Sequence, residues 1–155
     1  MVHCALLVDP DDGRLDALRR GIGHVVDLTT CTSFWKARQQ LLTTHPALLI
    51  SNIRLGPHNG LHLAHLAAFA GLETRCVVYD EPADLHLIRE AQRIGAFYER
   101  TSRLAFAIPS YLRTSLPDRD RRYAESVDRR GLFRGGRRTS DVAPDHIRTA
   151  QSVSH

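Results

Sequence analysis

Lysine is almost missing from this chain: Lys36 is the only one, and twenty arginines carry the rest of the positive charge. No other position can therefore supply an ammonium group. Cysteine is scarce as well. Cys4, Cys31 and Cys76 are odd in number and far apart, with no paired spacing, which gives no support to a disulfide framework or a zinc knuckle and predicts buried free thiols. No apolar run approaches the roughly 20 residues that a membrane-spanning helix needs. The first residues, Met1 to Asp9, lack a basic segment and reach a carboxylate after a very short apolar run. That is too little for a secretory signal, and a cytoplasmic protein is expected.

What is present is enough for one core. The chain has 155 residues, 43% of them hydrophobic and 25% charged, which is the size and composition of a single globular domain. The net charge of +4 is unevenly spread: residues 1–116 are near balance, whereas residues 117–155 hold nine Arg against six acids. This second stretch is poor in apolar residues, so the expected boundary puts a folded domain at 1–116 and an Arg/Gly-rich, disordered tail at 117–155, with at most a short helix near Arg121 to Ser126. In the tail, Arg129, Arg130, Arg134, Arg137 and Arg138 alternate with glycine and Phe133, a pattern suited to phosphate groups of nucleic acid or a nucleotide. The interspersed acids weaken its field, and a solvated tail is the better reading of composition alone. No helix-turn-helix segment follows the first 116 residues, which argues against a sequence-specific transcription factor.

Over residues 1–116, short apolar runs alternate with segments of helical period, predicting an α/β fold with a parallel sheet covered by crossover helices. Strands are expected at Ala5 to Val8, His24 to Leu28, Ala47 to Ile53, Thr74 to Tyr79 and Ala96 to Glu99. The first helix is capped by Asp11 or Asp12 and buries Leu15, Leu18 and Ile22; the second is capped by Thr32 or Ser33 and buries Phe34, Ala37, Leu41 and Leu42. A loop over Leu55 to Gly60 leads to a third helix from Leu61. Glu81-Pro82 is read as opening the fourth, with Pro82 in its first turn and Gly95 as its stop, and the fifth runs from Ser102 to Leu116 with a kink or break at Pro109. In such a sheet, ligands gather at the carboxyl ends of the strands, near Asp9 to Asp12, Asn52 to Arg54, Tyr79 to Glu81 and Glu99 to Ser102.

Two segments stand out: Leu7-Val8-Asp9-Pro10-Asp11-Asp12 and Leu49-Ile50-Ser51-Asn52-Ile53-Arg54-Leu55-Gly56-Pro57-His58-Asn59-Gly60-Leu61. Together with Gly95-Ala96 they resemble the receiver domain of bacterial two-component response regulators, the CheY-like family, over nearly all of residues 3–116. The resemblance implies a doubly wound, five-stranded parallel sheet of order 2-1-3-4-5. In active members it also implies an aspartate that accepts a phosphoryl group from a histidine kinase, acidic residues that hold Mg²⁺, a hydroxyl, and a lysine. This sequence departs at each position. Asn52 stands at the phosphoacceptor position, and its neutral amide, with a delocalised nitrogen lone pair, cannot attack phosphorus. Pro10 replaces one member of the acidic pair, leaving Asp9, Asp11 and Asp12 as a remnant. Asp80 stands where the hydroxyl belongs, Thr101 nearest the lysine, and Tyr98 at the aromatic switch position.

The resemblance, so altered, implies a stand-alone pseudo-receiver that works through a protein partner, a histidine kinase or another signalling protein, with self-association also compatible. No cofactor is expected; a weak Mg²⁺ site at Asp9 and Asp11 is the one candidate. In a competing account, an Asp80–Arg100 ion pair holds the site in one state. The surface from Arg89 through Tyr98 to the last helix is the expected partner face, with Tyr98 as a plain strand residue packing on the sheet the equal alternative. The alternative is a nucleic-acid or nucleotide binder that uses the tail. Elsewhere the bland readings are preferred. His58, His62 and His65 fit a solvated helix face better than a metal site, Ser51 fits a backbone-satisfying hydroxyl better than a nucleophile, and of Phe34 and Trp35 one is core and the other exposed. An enzyme is not expected, because no nucleophile with a positioned base can be read.

Overall fold

The computed structural model describes residues 3–113. The expected Arg/Gly tail, its short helix and its arginine contacts lie outside the described residues, as does the end of the last expected helix. Within them, runs of apolar residues too short for a helix form a parallel sheet: β1 (Cys4–Val8), β2 (Asp27–Cys31), β3 (Leu48–Asn52), β6 (Arg75–Asp80) and β7 (Phe97–Arg100), in the order β2-β1-β3-β6-β7. A two-stranded hairpin, β4 (Arg54–Leu55) and β5 (His58–Asn59), is set apart from it. With the hairpin left out, the order is the expected 2-1-3-4-5. Every residue of β3 is buried, as befits a central strand covered on both faces.

Five helices cover the sheet: α1 (Asp12–Ile22), α2 (Phe34–Thr44), α3 (Leu61–Phe69), α4 (Leu85–Arg93) and α5 (Leu104–Arg113). Side chains alternate across the strands, so two cores form. Ala5, Leu7, Leu48, Ile50, Val77 and Tyr79 pack with Leu15, Leu18 and Ile22 of α1 and Leu104 and Ile108 of α5. Leu6, Val8, Leu49 and Val78 face the other way, against Ala37 and Leu41 of α2, Leu63, Ala64 and Ala67 of α3, and Ala91 of α4. Connections leave β1 toward β2 and β3 toward β6, so the chain changes direction between β1 and β3, and a crevice opens at their carboxyl ends. Among the described residues, no helix is long and apolar enough to cross a membrane.

Several local expectations need correction. The second strand lies at Asp27–Cys31, not His24 to Leu28. Val25 still belongs to the turn that leaves α1, its N–H donating to the Ile22 carbonyl, and an edge strand is served by the β-branched Thr29 and Thr30. Pro82 does not open the fourth helix: Asp84 caps it, its side chain accepting the His86 N–H at 2.8 Å. Pro109 sits inside α5 without breaking it. The carbonyl it deprives of a partner, four residues back, is that of exposed Ala105, while Leu104 and Ile108 stay anchored in the core. Cys31 and Cys76 are buried free thiols as expected, but Cys4 is exposed. The Leu55 to Gly60 loop contains the hairpin, whose turn needs Gly56 at a φ of 64°.

Candidate functional site

Asp9 leaves β1 at the crevice and is fully buried, an arrangement that requires partners for both carboxylate oxygens. It has five donors. Oδ1 accepts from the Asp11 N–H at 2.8 Å and from Arg14 Nη2 at 3.0 Å. Oδ2 accepts from Arg14 Nε at 2.8 Å, from the Tyr79 hydroxyl at 2.6 Å and from Asn52 Nδ2 at 3.1 Å. Arg14 belongs to the first turn of α1. The Asp11 side chain caps that turn by accepting the Arg14 N–H at 2.8 Å, which aims the guanidinium back over the crevice. Burial alone would raise the Asp9 pKa. The hydrogen bonds from Arg14, Tyr79, the Asp11 backbone and Asn52 outweigh it and hold the carboxyl below its ordinary value. Tyr79 is pushed far upward by burial and by donating to that carboxylate, so it stays a neutral donor.

Asn52 ends β3 and bridges two groups. Its Nδ2 donates to Asp9, and its Oδ1 accepts the Arg54 N–H at 2.8 Å, so a carboxylate on one side and an N–H on the other fix the amide in one orientation. Gly60 packs directly over this strand end. Its N–H donates to the Ile53 carbonyl at 2.8 Å, and a side chain there would overlap the Asn52 carbonyl oxygen. Beside it, Ser51 donates its hydroxyl to that same carbonyl, the backbone-satisfying role expected of it.

Asp80, at the end of β6, is also buried, and Arg54 claims it: Nε lies 3.0 Å from Oδ2 and 3.2 Å from Oδ1, while Oδ1 also accepts the Glu81 N–H at 2.8 Å. The alternative Asp80–Arg100 pair does not form among the described residues. Arg54 enters from β4, two residues beyond the end of the adjoining strand β3, whereas Arg100 ends the edge strand β7, exposed, with its N–H on Glu99 Oε1. Tyr98 is half-buried and donates its hydroxyl to the Asp80 carbonyl at 3.3 Å; Thr101 follows β7 at the start of a short 3₁₀ turn.

The crevice thus holds two buried carboxylates, each paired with its own arginine. The acidic remnant does not converge. Asp11 spends its side chain on the helix cap, Asp12 is exposed in the first turn, and Asp9 has no oxygen left without a hydrogen-bond donor. Among the described residues, no three His, Cys, Asp or Glu side chains are grouped to hold a metal ion. With both Asp9 oxygens already taken by donors, the set as it stands does not fit Mg²⁺, whose near-octahedral shell of waters needs at least one free carboxylate oxygen to hold it. His58 stacks on half-buried Phe34 at 4.5 Å and meets exposed Trp35 edge-on at 5.4 Å, and His65 lies 3.5 Å from Glu90. His62 meets the same Phe34 ring edge-on at 6.5 Å, so the histidines take part in ring and ion-pair contacts rather than in a metal site.

Solved structures similar to this chain share one architecture. A signal receiver domain from Vibrio parahaemolyticus aligns with a TM-score of 0.66 at 15% identity, covering 83% of this chain and 96% of its own. This chain has the receiver-domain fold. A two-component response regulator of the LuxR family from Aurantimonas is similar at TM-score 0.64 and 16% identity, over 85% of this chain and 99% of that one. A response regulator from Thermotoga maritima gives 0.64 and 15%, over 74% and 100%. No protein-family model and no curated protein matches the sequence. In this receiver fold, the residues brought together at the crevice are Asp9, Asn52 and Asp80, all singled out by the sequence. Arg14 was missed, and Arg54 and Tyr79 fell within the strand-end segments singled out but were given no role. The signals for these three are an arginine in the first helical turn after the Asp11 cap, an arginine two residues after Asn52, and a lone hydroxyl at the end of an apolar strand.

Proposed function

We propose that this chain is an atypical receiver module of bacterial two-component signalling that acts by binding a protein partner and carries no phosphoryl group at residue 52. The carrying observation is the amide of Asn52, whose nitrogen is a donor to Asp9 and whose oxygen is an acceptor for Arg54, leaving no nucleophilic oxygen at the strand tip. Asp80 supports the same reading, because a carboxylate has no proton to donate to a phosphoryl oxygen and its charge is already matched by Arg54. The module binds rather than catalyses: Ser51 is buried, and its hydroxyl is committed to a backbone carbonyl.

A histidine kinase or another signalling protein is the class of partner that fits such a module. The contact face we favour runs from Arg89 through Tyr98 to α5, where Leu85 of α4 and Phe106 of α5 are 71% and 83% exposed. The test is incubation of the full chain with acetyl phosphate and Mg²⁺, read by intact mass. The wild type is expected to stay unlabelled, and Asn52→Asp to label poorly, since neither a lysine nor a hydroxyl completes its site. A stable acyl phosphate on the wild type would overturn the proposal.

A further inference from the structure

An ion in the receiver crevice would have to bind through Asp9, whose Oδ1 already accepts two hydrogen bonds and whose Oδ2 accepts three. Two of the five hydrogen bonds come from one side chain, Arg14, as a two-toothed fork, Nε to Oδ2 at 2.8 Å and Nη2 to Oδ1 at 3.0 Å. Such paired bonds between guanidinium and carboxylate are among the strongest and most directional available to a protein. The Arg14 side chain is 41% exposed, so the cation closes the crevice as a cover rather than lying within the core. The other buried carboxylate, Asp80, has a separate arginine and does not compete for it.

We propose that Arg14 is a resident cation: its guanidinium gives Asp9, from within the chain, the neutralisation that a divalent ion would otherwise bring, so the carboxyl rim of the sheet keeps one arrangement with or without metal. The inference does not rest on partner binding, and its test uses neither partner nor phosphodonor. The full chain is melted in EDTA and in about 10 mM Mg²⁺, as wild type and as Arg14→Ala. The wild-type Tm is expected to be the same in both. Arg14→Ala is expected to melt lower in EDTA and to regain about 3 °C or more with Mg²⁺, because removing the fork frees Asp9 to take an ion.

A wild type stabilised as much as the variant, or a folded Arg14→Ala indifferent to Mg²⁺, would overturn the proposal. Should Arg14→Ala fail to fold, substoichiometric Mn²⁺ is added to wild type and to Arg14→Gln, and broadening is read at the Asn52 and Arg54 amides. Stronger broadening in Arg14→Gln supports the assignment; equal broadening in the two proteins overturns it.

Discussion

Replacing Asn52 by Asp looks like the conservative restoration of a phosphoacceptor, yet the hydrogen bonds around residue 52 predict a loss of stability. The side chains are nearly the same size, so no cavity or overlap follows. What changes is that Asn52 Nδ2, a donor 3.1 Å from Asp9 Oδ2, becomes an anionic oxygen facing another inside a buried crevice. At an effective dielectric near 20, two unit charges about 4 Å apart repel by about 4 kcal/mol. Protonating the new carboxyl instead costs, at pH 7 and from an ordinary pKa of about 3.9, again about 4 kcal/mol. With Arg14 offsetting part of the repulsion, the loss at pH 7 is expected to be about 2–4 kcal/mol.

The sign with pH follows. The new carboxyl has a raised folded-state pKa, so the unfolded form gains most from ionising it, and the deficit grows as pH rises through that pKa. Near pH 5 the protonation route costs only about 1.5 kcal/mol, which caps the deficit there. Urea unfolding of wild type and Asn52→Asp in EDTA, at pH 7 and pH 5, reads both numbers. A variant within about 0.5 kcal/mol of wild type at both pH values would refute the reasoning, because the amide would then be no more than a passive stand-in.

Three further outcomes follow from the same geometry. Tyr79→Phe removes a buried donor to a charged acceptor and leaves four others on Asp9, so a loss of about 1.5–3 kcal/mol in urea unfolding is expected, and no change would contradict the role given to this hydroxyl. Gly60→Ala, at a backbone φ of −60° that alanine tolerates, should still cost roughly 2 kcal/mol or more, because its Cβ meets the Asn52 carbonyl oxygen; a neutral substitution would show that the hairpin does not hold the strand end. The depressed Asp9 pKa contributes stability that is complete above the ordinary carboxyl value of 3.8 and is lost as pH falls through the folded value, so acid unfolding of Asp9→Asn should be shallower than that of wild type below about pH 4.

Much of the fold was legible because its determinants are local. Apolar strands such as Leu48–Asn52 and helix faces such as Leu15, Leu18 and Ile22 announce themselves by period, and the Asp11 cap by residue type. The second strand was misplaced because Val25 and Val26 are more apolar than the Thr29–Thr30 pair, and an edge strand does not need apolar residues on both faces. Of the kink or break expected at Pro109, the break does not occur, because whether a helix tolerates a proline depends on which carbonyl loses its donor, a property of the packed helix rather than of the sequence. At the site, Asp9, Asn52 and Asp80 were visible at strand ends, but the choice of arginine was not. Asp80 could have paired with Arg100 on one side or Arg54 on the other, and only the assembled sheet decides between them. Arg14 was hidden for a related reason: a helical arginine five residues from a carboxylate reads as solvated surface until the cap at Asp11 fixes its direction.

The central claim is that an amide at the tip of β3 makes the crevice inert to phosphoryl chemistry. The most direct measurement is the amide spectrum of the isotopically labelled full chain before and after adding Mg²⁺ with beryllofluoride, which mimics a phosphoryl group by coordinating a carboxylate oxygen. The account predicts that the resonances of Asp9, Asn52, Arg54, Asp80, Tyr98 and Thr101 stay where they are. Saturable shifts at Asn52 and Arg54 that travel on to Tyr98 and Thr101 would contradict it.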